Sequence, residues 1–177
     1  MVTLVFNLLA VVLCFFLMAC QPVVLPEGLT VQVQRIVSGR DFEVAGITEQ
    51  PEITEMVRLE GIDVPDLAQS PWGEAAKAQL EQMLGNQEVL LETDTEPRTA
   101  SSQRLAYVWR NGKLLNEQLV AAGYALAVPH PPNSKYDRPL AHAQDLARAL
   151  GLGIWNPQKP MRTAPAEFRG QKGEDGR

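Results

Sequence analysis

The sequence predicts an α+β fold: a small five-stranded Greek-key β-barrel of the OB type with three helices packed on it. Five short apolar runs are separated by turn signals, a helical pattern stands between the third and fourth, and two more follow the fifth. This order allows the barrel and equally a generic α+β domain. A chain of 177 residues holds one domain plus tails, long enough to build a core without disulfides.

Four segments follow along the chain. Residues 1–19 read as a signal peptide, because Leu4 to Ala19 is almost wholly apolar, short for a membrane span and right for an h-region. Leu17-Met18-Ala19-Cys20 resembles a bacterial lipobox, which makes Cys20 the lipidated first residue after cleavage. The same residues also read as an uncleaved anchor helix, and Met1 to Thr3 carries no Lys or Arg. Both cysteines, Cys14 and Cys20, lie in this leader, so the body offers Cys20 no disulfide partner. Residues 20–29, with Pro22, Pro26 and Gly28, form a tether. Residues 30–155 form the domain, and residues 156–177, rich in Gly, Pro, Lys and Glu, read as a disordered tail.

Within the domain, Val31 and Val33 alternate and Ile36-Val37 follow, giving the first strand. Ser38-Gly39 turns the chain, and Phe42 and Val44 start the return strand. The third strand is Val57 to Ile62. Ser70-Pro71 predicts a helix start, with Ser70 as N-cap and Pro71 at the first helical position. Trp72, Ala75, Ala76, Leu80, Met83 and Leu84 recur at helical spacing and Gly85 closes it, so this stripe is core packing. Val89 to Leu91 is the fourth strand, residues 93–103 a polar loop, and Leu105 to Trp109 the fifth strand. Helices follow over 114–122 and 137–150, with Pro139 tolerable in the first turn of the latter.

The chain is organised around residues 56–67, where Arg58 sits mid-strand and Asp63-Val64-Pro65-Asp66 ends it. A cation beside two carboxylates at a strand end suits a metal and a phosphate together. Alone, these twelve residues read as an ordinary charged surface turn. Strict alternation sets positions 58 and 63 on opposite faces, so Asp63 must lie past the regular strand for the two to cooperate.

Arg-Leu-x-Gly-Ile-Asp-x-Pro-Asp at 58–66 resembles the central motif of the staphylococcal nuclease-like (thermonuclease-like) family. Ser70 to Ala76, Arg104 to Trp109 leading to Asn111 to Glu117, and Gly153-Ile154-Trp155 agree with it in order and spacing. The resemblance covers about residues 30–155 and selects the OB-type barrel over the generic domain. It implies Ca²⁺-dependent cleavage of DNA and RNA phosphodiesters, with two Asp on the metal, a Glu as base and two Arg on the phosphate.

Carried over residue by residue, Arg58 matches the first arginine and Asp63 the second metal-binding Asp. Asp66 stands at the place of the base and is one methylene shorter. The first metal-binding Asp falls on Arg40, with Asp41 one residue late. The second arginine falls on Gln103, with Arg104 one residue late. Two readings stay open: loss of metal ligand and clamp, with weak or absent activity, or a shifted register in which Asp41 binds metal and Arg104 clamps phosphate. The family's stacking tyrosines give way to Val128, Pro129 and His130, the last read as a solvated loop histidine.

Net charge is −5, and residues 30–155 hold eleven Lys and Arg against seventeen Asp and Glu, so bulk charge gives no sign of a basic nucleic-acid-binding patch and leaves a local basic cleft open. Three functions follow from these readings. The first is an exported, lipid-anchored Ca²⁺-dependent phosphodiesterase acting on nucleic acid. The second is a non-catalytic barrel binding a nucleic acid, peptide or protein. The third is a structural lipoprotein of the bacterial cell envelope. In each the chain is expected as a monomer held to a membrane through its lipid anchor.

Overall fold

The computed structural model describes residues 26–47, 53–85 and 87–175. The predicted signal peptide, Cys20 and most of the tether lie outside these residues. Eight strands are present among the described residues: β1 (Leu29–Ile36), β2 (Asp41–Ala45), β3 (Glu55–Leu59), β4 (Ile62–Asp63), β5 (Glu88–Glu92), β6 (Arg104–Arg110), β7 (Lys113–Leu114) and β8 (Leu126–Ala127). The helices are α1 (Trp72–Leu84), α2 (Leu115–Ala121), α3 (Asp137–Ala149) and α4 (Pro165–Asp175), with a 3₁₀ turn at Gly153–Trp155.

Five strands close a barrel in the order β3-β2-β1-β5-β6, with a parallel β3–β6 pairing as the seam. The other pairings around it are antiparallel. Val33, Phe42, Val44, Val57, Leu91 and Val108 fill the interior, and the alternation read from the sequence comes from this packing. Helices α1, α2 and α3 extend the same core through Leu80, Leu84, Leu119 and Leu140, all fully buried. This is the predicted OB-type α+β architecture.

The start of α1 differs from its prediction. Pro71 occupies the N-cap position, Ser70 makes no capping hydrogen bond, and the Ser70–Pro71 peptide is cis. The Gly73 N–H instead donates to the Gln69 carbonyl (3.1 Å), so the preceding turn supplies the cap. Trp72 and Trp155 are half-buried, and the Arg148 guanidinium lies 4.4 Å from the Trp155 ring centroid.

The tail also differs. Composition predicts disorder beyond 155, whereas α4 occupies 165–175 and returns to the barrel. Pro165 opens it, Ala164 accepts from the Phe168 N–H (2.9 Å), and the Gln69 side chain donates to the Thr163 carbonyl (2.9 Å). Its strongest tether is electrostatic and reaches the candidate site.

Asn116 fixes α2 to the barrel. Fully buried, it accepts from the Val108 N–H (2.9 Å) and donates to the Glu60 carbonyl (2.8 Å). Asn116→Ala strands both backbone groups, and each unsatisfied buried group costs about 1–3 kcal/mol. A stability loss of about 2–6 kcal/mol in urea denaturation is the expected result.

Candidate functional site

Three local features build the site. The first is the end of β3. After Leu59 the chain turns at Glu60-Gly61, with Gly61 at φ +73°, and re-enters as β4 paired with β8. A side chain at Gly61 is strained in that conformation and meets Leu140 at 2.7 Å. This turn breaks the two-residue alternation and lets Asp63 cooperate with Arg58, as the sequence required.

The second feature is the β1–β2 turn. The Ser38 hydroxyl accepts from the N–H groups of Arg40 (3.2 Å) and Asp41 (3.0 Å) and donates to Asp41 Oδ2 (2.9 Å). Gly39 lets the turn press on α1 and the segment after β4, since a Cβ there would sit 2.5 Å from Val64 and 2.8 Å from Ala76. Asp41 faces Arg58 across β2–β3, and Arg58 Nε donates to Asp41 Oδ1 (2.7 Å).

The third feature is α4. Arg169 Nη2 donates to both oxygens of Asp63 at 2.8 Å each. Arg40 Nη1 donates to Asp63 Oδ1 at 2.6 Å, and Arg40 Nε lies 3.7 Å from Asp41 Oδ2. Asp63 therefore sits between two guanidiniums, and Arg40 bridges the two carboxylates expected to bind metal. Burial, then the charges of Arg58 and Arg169, hold the Arg40 pKa below its ordinary value, while Asp63 and Asp41 oppose them. Arginine stays protonated under such shifts.

Arg40 and Arg169 also divide the region into two cavities. One, of about 500 Å³, holds Arg58, Asp63, Glu60, Arg98 and His130. The other, of about 380 Å³, holds Asp41, Asp66, Ser38 and Lys172. Asp66 accepts from the Ala68 N–H (2.9 Å) and lies 3.8 Å from Lys172 Nζ, so it shapes its own turn. The structure thus joins Arg58, Asp41 and Asp63 through the bonds of Arg58 and Arg40, with Arg58 and Asp63 on the larger cavity and Asp41 and Asp66 on the smaller one.

Arg104 stands elsewhere. It pairs with Val57 in the β3–β6 seam, so it projects from the face opposite to Arg58, and its Nη2 donates to Glu55 (3.1 Å). The loop arginine that lines the larger cavity is Arg98, which also contacts Glu55 (2.6 Å). Sequence reasoning missed Arg98 and Arg169.

Glu60 was missed too, although an acid within an apolar run is a signal. It is buried and accepts from the Gly61 N–H (2.8 Å) and Asn133 Nδ2 (2.8 Å). His130 Nδ1 lies 3.2 Å from Glu60 Oε1, so the expected solvated histidine is held on a buried acid.

The resemblance implies Ca²⁺ on Asp63 and on a carboxylate of the β1–β2 turn. The donor set does not fit that ion. Both oxygens of Asp63 are engaged by arginine, those of Asp41 by Arg58 and Ser38, and a guanidinium occupies the space between.

A closed OB-type barrel with Arg58 on its third strand and Asp63 just past the turn that ends it defines a nuclease-like protein. The family model for staphylococcal nuclease homologues matches residues 56–157. The thermonuclease of Staphylococcus hyicus is 30% identical over 132 residues, covering 72% of this chain and 76% of that protein. The chain belongs to the staphylococcal nuclease homologue family. The matched residues begin at Met56, so the turn that carries Arg40 lies before them.

Proposed function

We propose that the chain is an exported, lipid-anchored nuclease homologue of the bacterial envelope, monomeric, with its cavity turned to nucleic-acid phosphate and its Ca²⁺-dependent phosphodiesterase activity weak or lost. The observation that carries the reading is the Arg40–Asp63–Arg169 bridge, which sets two fixed cations where the family's chemistry calls for a divalent ion. Arg58 supports phosphate as the ligand. It engages Asp41 through Nε, and the residue lines the larger cavity. The shifted-register alternative needs Arg104 beside Arg58, and the orientation of Arg104 toward Glu55 argues against it. Cleavage of single-stranded DNA by the purified full-length chain, with and without Ca²⁺, tests the proposal. Turnover near background in both conditions is expected, and robust Ca²⁺-dependent turnover would overturn it.

A non-catalytic barrel that only binds its ligand is the second reading, favoured by the same bridge. Location rests on Cys20, outside the described residues. Among the described residues no helix is long and apolar enough to cross a membrane. More than one acyl chain gives stable anchoring, where a single chain is marginal. Cys20→Ser is expected to block lipidation and leave an unprocessed precursor, seen as loss of lipid labelling and a slower band. A variant processed and fractionated like wild type would refute the lipobox.

A further inference from the structure

We propose that His130 is a general base for metal-independent cleavage of single-stranded RNA in the larger cavity, positioned by Glu60. The inference rests on the nucleic-acid reading of that cavity and adds a catalytic residue to it.

The buried Glu60 side chain is held by Gly61 and Asn133 and meets His130 at Nδ1 (3.2 Å). A carboxylate that accepts the Nδ1–H fixes the tautomer and leaves the lone pair on Nε2. The His130 side chain is 54% exposed while Glu60 is 3% exposed, so the ring stands at the cavity with only its inner edge engaged. Arg58 and Arg98 line the same cavity and supply charge for a phosphate.

With arginine in the place of a divalent ion, one imidazole acts best on a nucleophile already held by the substrate. The ribose 2′-hydroxyl is such a nucleophile, and its proximity to the phosphorus replaces a bimolecular encounter. His130 Nε2 takes the 2′-OH proton, the 2′-oxygen bonds to phosphorus, and the P–O5′ bond breaks. The 5′-oxygen takes a proton from water, and His130 returns its own proton to solvent. The products are a 2′,3′-cyclic phosphate and a 5′-hydroxyl, with no change of oxidation state. Arg58, which lines the same cavity, braces the charge on the phosphorane.

The test uses the full-length chain in mild detergent with EDTA and a labelled uridine oligonucleotide. Binding is followed by fluorescence anisotropy and products by mass. Cleavage to a 2′,3′-cyclic phosphate is expected for RNA and not for its 2′-O-methyl or DNA counterpart. His130→Gln should lower kcat by about 10²–10⁴-fold. Glu60→Gln should lower kcat with KM unchanged, which a merely structural anchor would not do. Binding without cleavage overturns the inference and leaves the nucleic-acid reading standing, whereas absence of binding overturns both. Cleavage that requires Ca²⁺, proceeds equally on the 2′-O-methyl substrate, or survives His130→Gln overturns the inference alone.

Discussion

Replacing Arg40 with Asp, Asp66 with Glu, Gln103 with Arg and Arg169 with Gln in one chain should raise Ca²⁺-dependent DNA cleavage by several orders of magnitude. Arg40→Asp restores a carboxylate and removes the guanidinium bound to Asp63. Arg169→Gln removes the cation that engages both oxygens of that residue. Gln103→Arg returns a clamp where the motif places it, and Asp66→Glu restores the missing methylene. One preorganised electrostatic donor is worth about 10²–10³ in turnover, and a catalytic group misplaced by about 1 Å can cost on the order of 10²-fold. Such contributions do not add simply. The version that keeps Arg169 should gain far less, because Asp63 stays covered. Arg58→Ala or Asp63→Ala on the four-fold background should abolish the gain. Steady-state cleavage of single-stranded DNA over a Ca²⁺ titration reads all of these.

Asp63→Asn should destabilise the wild-type fold by about 3 kcal/mol, the lower end of the range for removing one partner of a buried ion pair. The low end applies because the side chains of Arg40, Asp63 and Arg169 are 18%, 10% and 31% exposed, so solvent screens part of the loss. The variant leaves two neighbouring guanidiniums without their shared carboxylate and frees the end of α4. In a site built to hold Ca²⁺, apposed carboxylates repel one another in the metal-free protein, and neutralising one relieves that repulsion. The sign of the change in urea midpoint therefore separates a structural bridge from a metal site. A fall in the midpoint is expected, and a rise would count for the metal site.

The barrel was legible because its strands and helices carry their periodicity locally. The alternation in β1 and β2 and the stripe of α1 each follow from burying one face. The break after β3 was legible too, since Asp63 could join Arg58 only past the regular strand, and Gly61 makes that break. The site was legible in part. Arg40 stood out because a cation falls where the resemblance requires a carboxylate, and the same resemblance sets its partner Asp63, 23 residues away, at the other metal-ligand place. Arg169 left no signal. Composition of the tail predicts disorder, and the helix there depends on an ion pair across 106 residues. Arg104 shows the limit of motif reading, because a one-residue offset in a strand turns a side chain to the other face.

Ca²⁺ binding to the full-length chain, followed as a thermal shift, tests the central claim most directly. A ligand that binds only the native state raises stability by about 2.7 kcal/mol at a hundred times its Kd. Wild type is expected to show no Ca²⁺-dependent rise in Tm at millimolar Ca²⁺, while the variant with Arg40→Asp and Arg169→Gln shows one that Asp63→Ala removes. A wild-type rise of several degrees, lost in Asp63→Ala or Asp41→Ala, would contradict the claim that arginine occupies the metal's place.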